Sequence, residues 1–325
     1  LCMFLPAFAA EMSAAPHPIV HYPIAILWNG PSAVSIFFVL SGFVMAAATA
    51  RRADLLVANC VARYCRLALP ILASVVLAWC FLTLLPDAAR TLEAQLASPS
   101  RWLNYSFQGD IPSLPYAVAD ALVLNFVNGL SRFNNVLWTM QIELIGSFLI
   151  FLIYFFARSS LPRLLVGVVA VSLVIFALRD FYYLSFMLGL LIYEFCYRRR
   201  VSPLAPWLPL AALVVGVVLG GLSEGAHEHW GLPPAPFGVQ SFELGRSDGL
   251  VPVLAATAIL YAVVNLAALS TLFATALPRF LGRISFPLYL VHVPLLYTWV
   301  AFAYTRTELS VAALFGGYVA ATLLL

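Results

Sequence analysis

Residues 138–157 read WTMQIELIGSFLIFLIYFFA, an apolar run with one acid, Glu143, about one and a half turns inside it. A helix of that length covers roughly 30 Å, the thickness of a bilayer's hydrocarbon core. An ionisable side chain there costs roughly 2.5–3.5 kcal/mol on insertion scales, so its presence calls for a reason. Thr139 lies one turn before Glu143 and Ser147 one turn after it, which makes a polar stripe, while Leu144, Ile145 and Phe148 cover the rest. That stripe is expected to point into a helix bundle. Two readings stand for Glu143: an arginine-paired lock between helices, or a reactive group that accepts a proton or orients a neighbour.

The rest of the chain has the same character. It is 63% hydrophobic and 10% charged over 325 residues, with a mean hydropathy of +0.97. Those values lie outside the soluble globular range. Runs that span or nearly span occur at about 30–50, 66–85, 138–157, 162–178, 181–197, 203–222, 250–270, 286–304 and 309–325. Leu1 to Ala10 reads as part of a further helix, because it is apolar but only about half of the roughly 20 residues a span needs. The expected fold is therefore all-α, a polytopic membrane bundle of about ten transmembrane helices with the first one partial. With no linker, repeat or low-complexity tract, residues 1–325 read as a single membrane domain. Residues 116–130 are apolar but carry Asp120, Asn125 and Asn128, and read as an interfacial or re-entrant segment in a long loop.

All 17 basic residues are arginines, and they sort by side. Positions 51, 52, 63, 66, 158, 163, 198, 199, 200, 279 and 283 fall on alternate loops or helix ends, with 90, 101, 132, 179, 246 and 306 opposite. The larger set is expected to be cytoplasmic. The loops at about 86–137 and 223–249 then face outward, both termini of the complete protein lie in the cytoplasm, and the setting is a bacterial-type inner membrane. A net charge of +3 leaves no nucleic-acid footprint. Five cysteines, at 2, 60, 65, 80 and 196, lack metal-ligand spacing and read as small packing residues. His17, His21, His227 and His229 fall in outward loops. The 227/229 pair lacks further ligands, so no metal site is expected.

Three more segments bear on chemistry. Gly30 opens a run through Phe37-Phe38-Val39-Leu40-Ser41-Gly42-Phe43, in which Ser41 and Gly42 allow a neighbouring helix to come close. Asn59, Arg63, Arg66 and Pro70 follow at helical spacing, so that the two guanidinium groups lie on one face. Paired forks suit phosphate oxygens, and anchoring at the headgroups suits the same residues equally well. Near the end, Gly282-Arg283-Ile284-Ser285 leads to Tyr289 and His292, with Pro287 near the helix start and Pro294 able to kink it. Ser285, Tyr289 and His292 share a face. As a lone imidazole, His292 reads first as a hydrogen-bonding packing residue.

Taken in order, these segments resemble the acyltransferase family 3 of integral-membrane O-acyltransferases, which acetylate sugars of cell-surface polysaccharides and lipopolysaccharide. Its glycine and phenylalanine-rich serine-glycine-phenylalanine stretch is matched by Gly30 and Phe37 to Phe43. Its arginine-x-x-arginine and proline are matched by Arg63, Arg66 and Pro70. Its tryptophan-to-glutamate step is matched by Trp138 to Glu143, with Asn135 before it. Its glycine, isoleucine-serine, tyrosine-leucine and histidine-x-proline are matched by Gly282, Ile284-Ser285, Tyr289-Leu290 and His292 to Pro294. The family also opens with an arginine and, ten residues between, a histidine taken as the catalytic pair. No arginine precedes Arg51, so that pair is expected upstream of Leu1 and the chain as it stands is expected to be inactive.

The resemblance implies transfer of a short acyl group, acetyl being the expected one, from cytoplasmic acyl-CoA to a hydroxyl of a cell-surface glycan or lipid-linked sugar. No permanently bound cofactor is expected; acyl-CoA, here acetyl-CoA, is the donor substrate. Arg63 and Arg66 would hold CoA phosphates and Glu143 would orient or charge-balance the histidine. His292 would line the cavity, with Ser41, Gly42, Trp138, Ser285 and Tyr289 shaping it. A second reading is a transporter or flippase for a lipid or sugar with Glu143 as the proton-coupling group, for which internal repeats and matched broken helices would be the sign. A third, a membrane scaffold, leaves Glu143 without a purpose.

Overall fold

A computed structural model describes residues 24–27, 29–95, 110–221, 249–306 and 311–324 of the chain. Among them all regular structure is helical. In chain order the helices are α1 (Gly30–Thr49), α2 (Leu56–Leu84), α3 (Ala88–Gln95), α4 (Leu114–Ala119), α5 (Trp138–Ala157) and α6 (Leu161–Leu178). They continue with α7 (Tyr182–Ile192), α8 (Leu208–Gly220), α9 (Leu250–Asn265), α10 (Ala267–Phe273), α11 (Ala276–Leu295) and α12 (Val311–Leu324). A wider π-helical turn extends α4 over Asp120–Leu124, α7 over Tyr193–Arg198 and α11 over Leu296–Val300.

Each of the nine apolar runs contains a helix. Among the described residues five helices are long and apolar enough to cross a membrane, namely Gly30–Thr49, Leu56–Leu84, Asn135–Ala157, Leu161–Leu178 and Ala276–Arg306. A sixth forms if α9 and α10, bent by 94°, count as one span. The chain is an all-α polytopic membrane protein. Leu1 to Ala10, the four loop histidines and residues 223–248 lie outside the described residues. The stretch expected as a loop at about 86–137 holds α3 and α4, and α4 continues helically to Asn128 before Gly129 closes it in the left-handed conformation, φ 68°.

Local chemistry sets the ends that matter. Asn29 caps α1 by accepting the Ser32 N–H at 3.3 Å, and Pro31 fits the first turn, where no N–H is needed. Asn29 Nδ2 and Ser32 Oγ, each at 2.9 Å, donate to Gly220 O, so the start of α1 satisfies a carbonyl at the end of α8. At the other break, Leu266 is extended, φ −95° and ψ 107°; its N–H closes α9 on Ala262 O and its own carbonyl accepts from Ser270 to begin α10.

The chain packs as two compact units. One comprises the described residues of Glu11–Arg63 with Ile142–Thr275. There α1 lies against α7 and α9, and α8 against α9, around Val39, Ile192 and Ala256. The other comprises Tyr64–Gln141 with the described residues of Ala276–Leu325, and its core gathers Ala88, Ala89, Leu92, Val136, Val293, Tyr297 and Ala301. Two of the boundaries between them fall inside α2 and α5 rather than in linkers.

Candidate active site

In the first unit, α1, the start of α2 and α5 bring three side chains together at Glu143. The residue is 1% exposed. Its Oε1 accepts from Ser41 Oγ at 2.6 Å and from the Arg63 guanidinium through Nη2. Arg63 Nε also donates to Ser147 Oγ at 3.0 Å, and Ser147 donates to Glu143 O at 2.7 Å. Ser147 therefore ties the guanidinium to α5 one turn beyond the acid. A sealed acid and a largely buried arginine compensate each other only when the hydrogen bonds are also made, and three of them are. The second carboxylate oxygen, Oε2, is sealed too, and it has no hydrogen-bond partner among the described residues.

Close approach of the helices makes this contact possible. A Cβ on Gly42 would lie 2.5 Å from Phe186 O, and one on Gly189 would strike the α1 backbone at Val39 O and Phe43 N. A Cβ on Gly146 would meet the Phe186 ring at 2.6 Å. Three glycines thus let α1, α7 and α5 meet where Ser41, beside Gly42, reaches Glu143, one turn from Gly146.

The two arginines of the arginine-x-x-arginine step part company. Arg63 is committed to Glu143 and Ser147, whereas Arg66 is exposed. Three residues along a helix rotate a side chain by about 60° from its partner, enough at a packed surface to turn one inward and leave the other out. The expected inward-facing pair is in fact a single inward arginine.

In the second unit, Thr139 Oγ1 lies 2.9 Å from Tyr289 Oη, and Tyr289 donates to Val136 O at 2.7 Å. Trp138 is buried. The Tyr289 and His292 rings sit 5.7 Å apart. His292 Nδ1 lies 3.1 Å from Leu288 O. A carbonyl only accepts, so in the neutral ring Nδ1 carries the proton and Nε2 the lone pair. Ser285 is exposed and donates to Gly282 O at 2.9 Å; burial along α11 begins only at Leu290, one turn further on.

Pro294 has a consequence beyond a kink. It has no N–H to give Leu290 O, and that carbonyl instead accepts from Ser74 Oγ at 2.8 Å and Asn134 Nδ2 at 2.7 Å. Sequence reasoning passed over both side chains, which are unremarkable until the proline frees a carbonyl for them. It also passed over Glu194, which is fully buried and accepts from Tyr154 Oη and Arg198 Nη1, each at 2.7 Å. The signal was present, since an acid in the run 181–197 is the same observation that singled out Glu143.

Compared with known protein families, residues 12–325 match the model described as an acyltransferase domain. No curated protein and no solved structure matches the chain.

Proposed function

We propose, from the premise that this chain belongs to the acyltransferase family matched over residues 12–325, that it moves an acetyl group from acetyl-CoA to a hydroxyl of a cell-surface glycan or lipid-linked sugar. The chain is a membrane acyltransferase; donor, acyl group and acceptor are the proposal. In this reaction the acceptor oxygen attacks the thioester carbonyl, the C–S bond breaks, and the hydroxyl proton passes through a base to the departing CoA thiolate. The hydroxyl is a weak nucleophile, so the base matters most.

The observation that carries the reading is the division of labour at Glu143. One oxygen is saturated by Ser41 and Arg63, and the other, though sealed from water, has no partner among the described residues. A fixed carboxylate with one free oxygen is suited to hold the N–H of an imidazole and to balance its charge once it takes a proton, as the acid does in nucleophile–histidine–acid systems. By the resemblance, that imidazole would be the family's catalytic histidine. In this reading Arg63 and Ser41 are positioning residues for Glu143.

The test is the full-length protein in proteoliposomes given acetyl-CoA labelled on the acetyl group. Label moving to an acceptor with release of free CoA, and failing to do so in Glu143→Gln at equal protein level, is the expected result. Undiminished transfer in that variant removes Glu143 from the mechanism. Uptake of label without CoA release would make the protein a carrier instead.

A further inference from the structure

Arginines gather where α1, α6 and α7 reach the same end of the unit that holds Glu143. Ala50 and Ala53 after α1, Ser159 and Leu161 at the start of α6, and Arg198 and Arg199 beyond α7 line one small space, so three chain segments converge there. They carry Arg51 and Arg52, Arg158 and Arg163, and the run Arg198 to Arg200, all of them exposed. Two acids accompany these seven arginines. Asp54 is exposed, whereas Glu194 is fully buried and already engaged by Arg198 at 2.7 Å and Arg199 at 3.5 Å. One face therefore holds a formal excess of five positive charges. Beside it Tyr197 is 62% exposed, and Trp207, at the start of α8, is 64% exposed.

The depth of this face follows from the helices. Both α1 and α6 are long and apolar enough to cross a membrane, so their ends at Thr49 and Leu161 lie at its surface, with Arg51, Arg52 and Arg163 within three residues of them. Tyrosine and tryptophan favour the same level, where one side of the ring is apolar and the other wet. The space that the segments enclose is about the size of a water molecule, which leaves the outer rim as the place where an anion meets the guanidinium groups. At the far end of α6, about 27 Å away, Arg179 stands next to Asp180, and the charge there cancels. We infer that the arginine face binds anionic phospholipid, drawing phosphodiester headgroups of the adjoining leaflet in preference to zwitterionic ones. A guanidinium fork matches two phosphate oxygens, and a phosphatidylcholine headgroup brings an ammonium that the other arginines repel, whereas phosphatidylglycerol brings none. This inference makes no use of the acyl-transfer reading, and its test counts lipid rather than turnover.

The full-length protein is reconstituted in phosphatidylcholine nanodiscs with phosphatidylglycerol as the minor component. It is then extracted in mild detergent, and the lipid that stays bound is counted by mass spectrometry. The bound ratio of phosphatidylglycerol to phosphatidylcholine should exceed the bulk ratio by about fivefold or more at low salt and fall toward it at high salt. Arg51→Gln combined with Arg163→Gln should lower the bound ratio by about fivefold. The two lysine replacements should keep most of it, and Arg179→Gln should leave it unaltered. Thermal midpoints in pure phosphatidylcholine check that the variants fold, and the salt series on the wild type decides the matter if the glutamine pair does not. A wild-type ratio equal to the bulk ratio overturns the inference. So does a ratio that the glutamine pair leaves unchanged, or one that falls as far in Arg179→Gln. Weaker binding of adenosine 3′,5′-bisphosphate by the glutamine pair, with its lipid ratio intact, would give the face to a soluble anion and overturn the inference equally.

Discussion

At Glu143 two donors converge on one carboxylate oxygen while the other has none among the described residues, and single substitutions separate the contributions of charge and hydrogen bond. Glu143→Gln keeps an oxygen for Arg63 and Ser41 but removes the charge that would hold an imidazolium. The rate of transfer in the full-length protein is expected to fall by about 100-fold or more, with a smaller loss of thermal midpoint than in Arg63→Met, because the Arg63 side chain left without its partner is 13% exposed and can be hydrated. Arg63→Met acts in the opposite sense, leaving a buried carboxylate without its counter-charge. Removing one member of a buried pair costs about 3–5 kcal/mol, so unfolding in detergent should come markedly earlier. Adding Glu143→Gln to Arg63→Met should recover a good part of that loss, because no uncompensated charge is left behind. A double variant no more stable than Arg63→Met would mean that the pair is not coupled. The acid itself was legible in the sequence, because a charge in an apolar run has few bland explanations. Its partner was not: Arg63 lies 80 positions away, and nothing local distinguishes it from Arg66.

Helices carry these residues to their places by backbone contact, and glycine is the means. A methyl group on Gly189 would strike Val39 O and Phe43 N, main-chain atoms that cannot rotate aside. Gly189→Ala should therefore push α7 off α1, cost about 1–3 kcal/mol, and draw Ser41 away from Glu143; the thermal midpoint and the transfer rate are read together. An unaltered rate at reduced stability would restrict the glycine to packing. In the other unit, Ser74→Ala with Asn134→Leu strips both outside donors from Leu290 O and should cost about 1–3 kcal/mol. Pro294→Ala returns an N–H to that carbonyl within the helix, and so should stabilise the double variant although the same change in the wild type brings no such gain. Most elements could be read from apolar runs, since a helix with a greasy circumference needs only length to be recognised. The 94° bend at Leu266 could not, because neither proline nor glycine marks it. Nor could the helical nature of Leu114–Asn128, where Asp120 bonded to Ser131 at 2.5 Å and the buried Asn125 disguise an apolar segment as a loop.

For the molecule as a whole, the arginine distribution gives an expected orientation on which the donor side of the proposed reaction depends. Eleven of the 17, Arg63, Arg66 and Arg200 among them, belong to the side expected to face the cytoplasm, and Asp87 belongs to the other. Asp87 and Arg200 are both exposed, so a cysteine at either position should react freely with a reagent that can reach it. In a background with Cys2, Cys60, Cys65, Cys80 and Cys196 replaced, Asp87→Cys is expected to take up a membrane-impermeant maleimide in intact spheroplasts, and Arg200→Cys only after permeabilisation. The reverse pattern would put Arg63 and Arg66 on the face that cytoplasmic CoA cannot reach. The acetyl donor would then need another way in. The same labelling therefore tests sidedness and the supply of donor together.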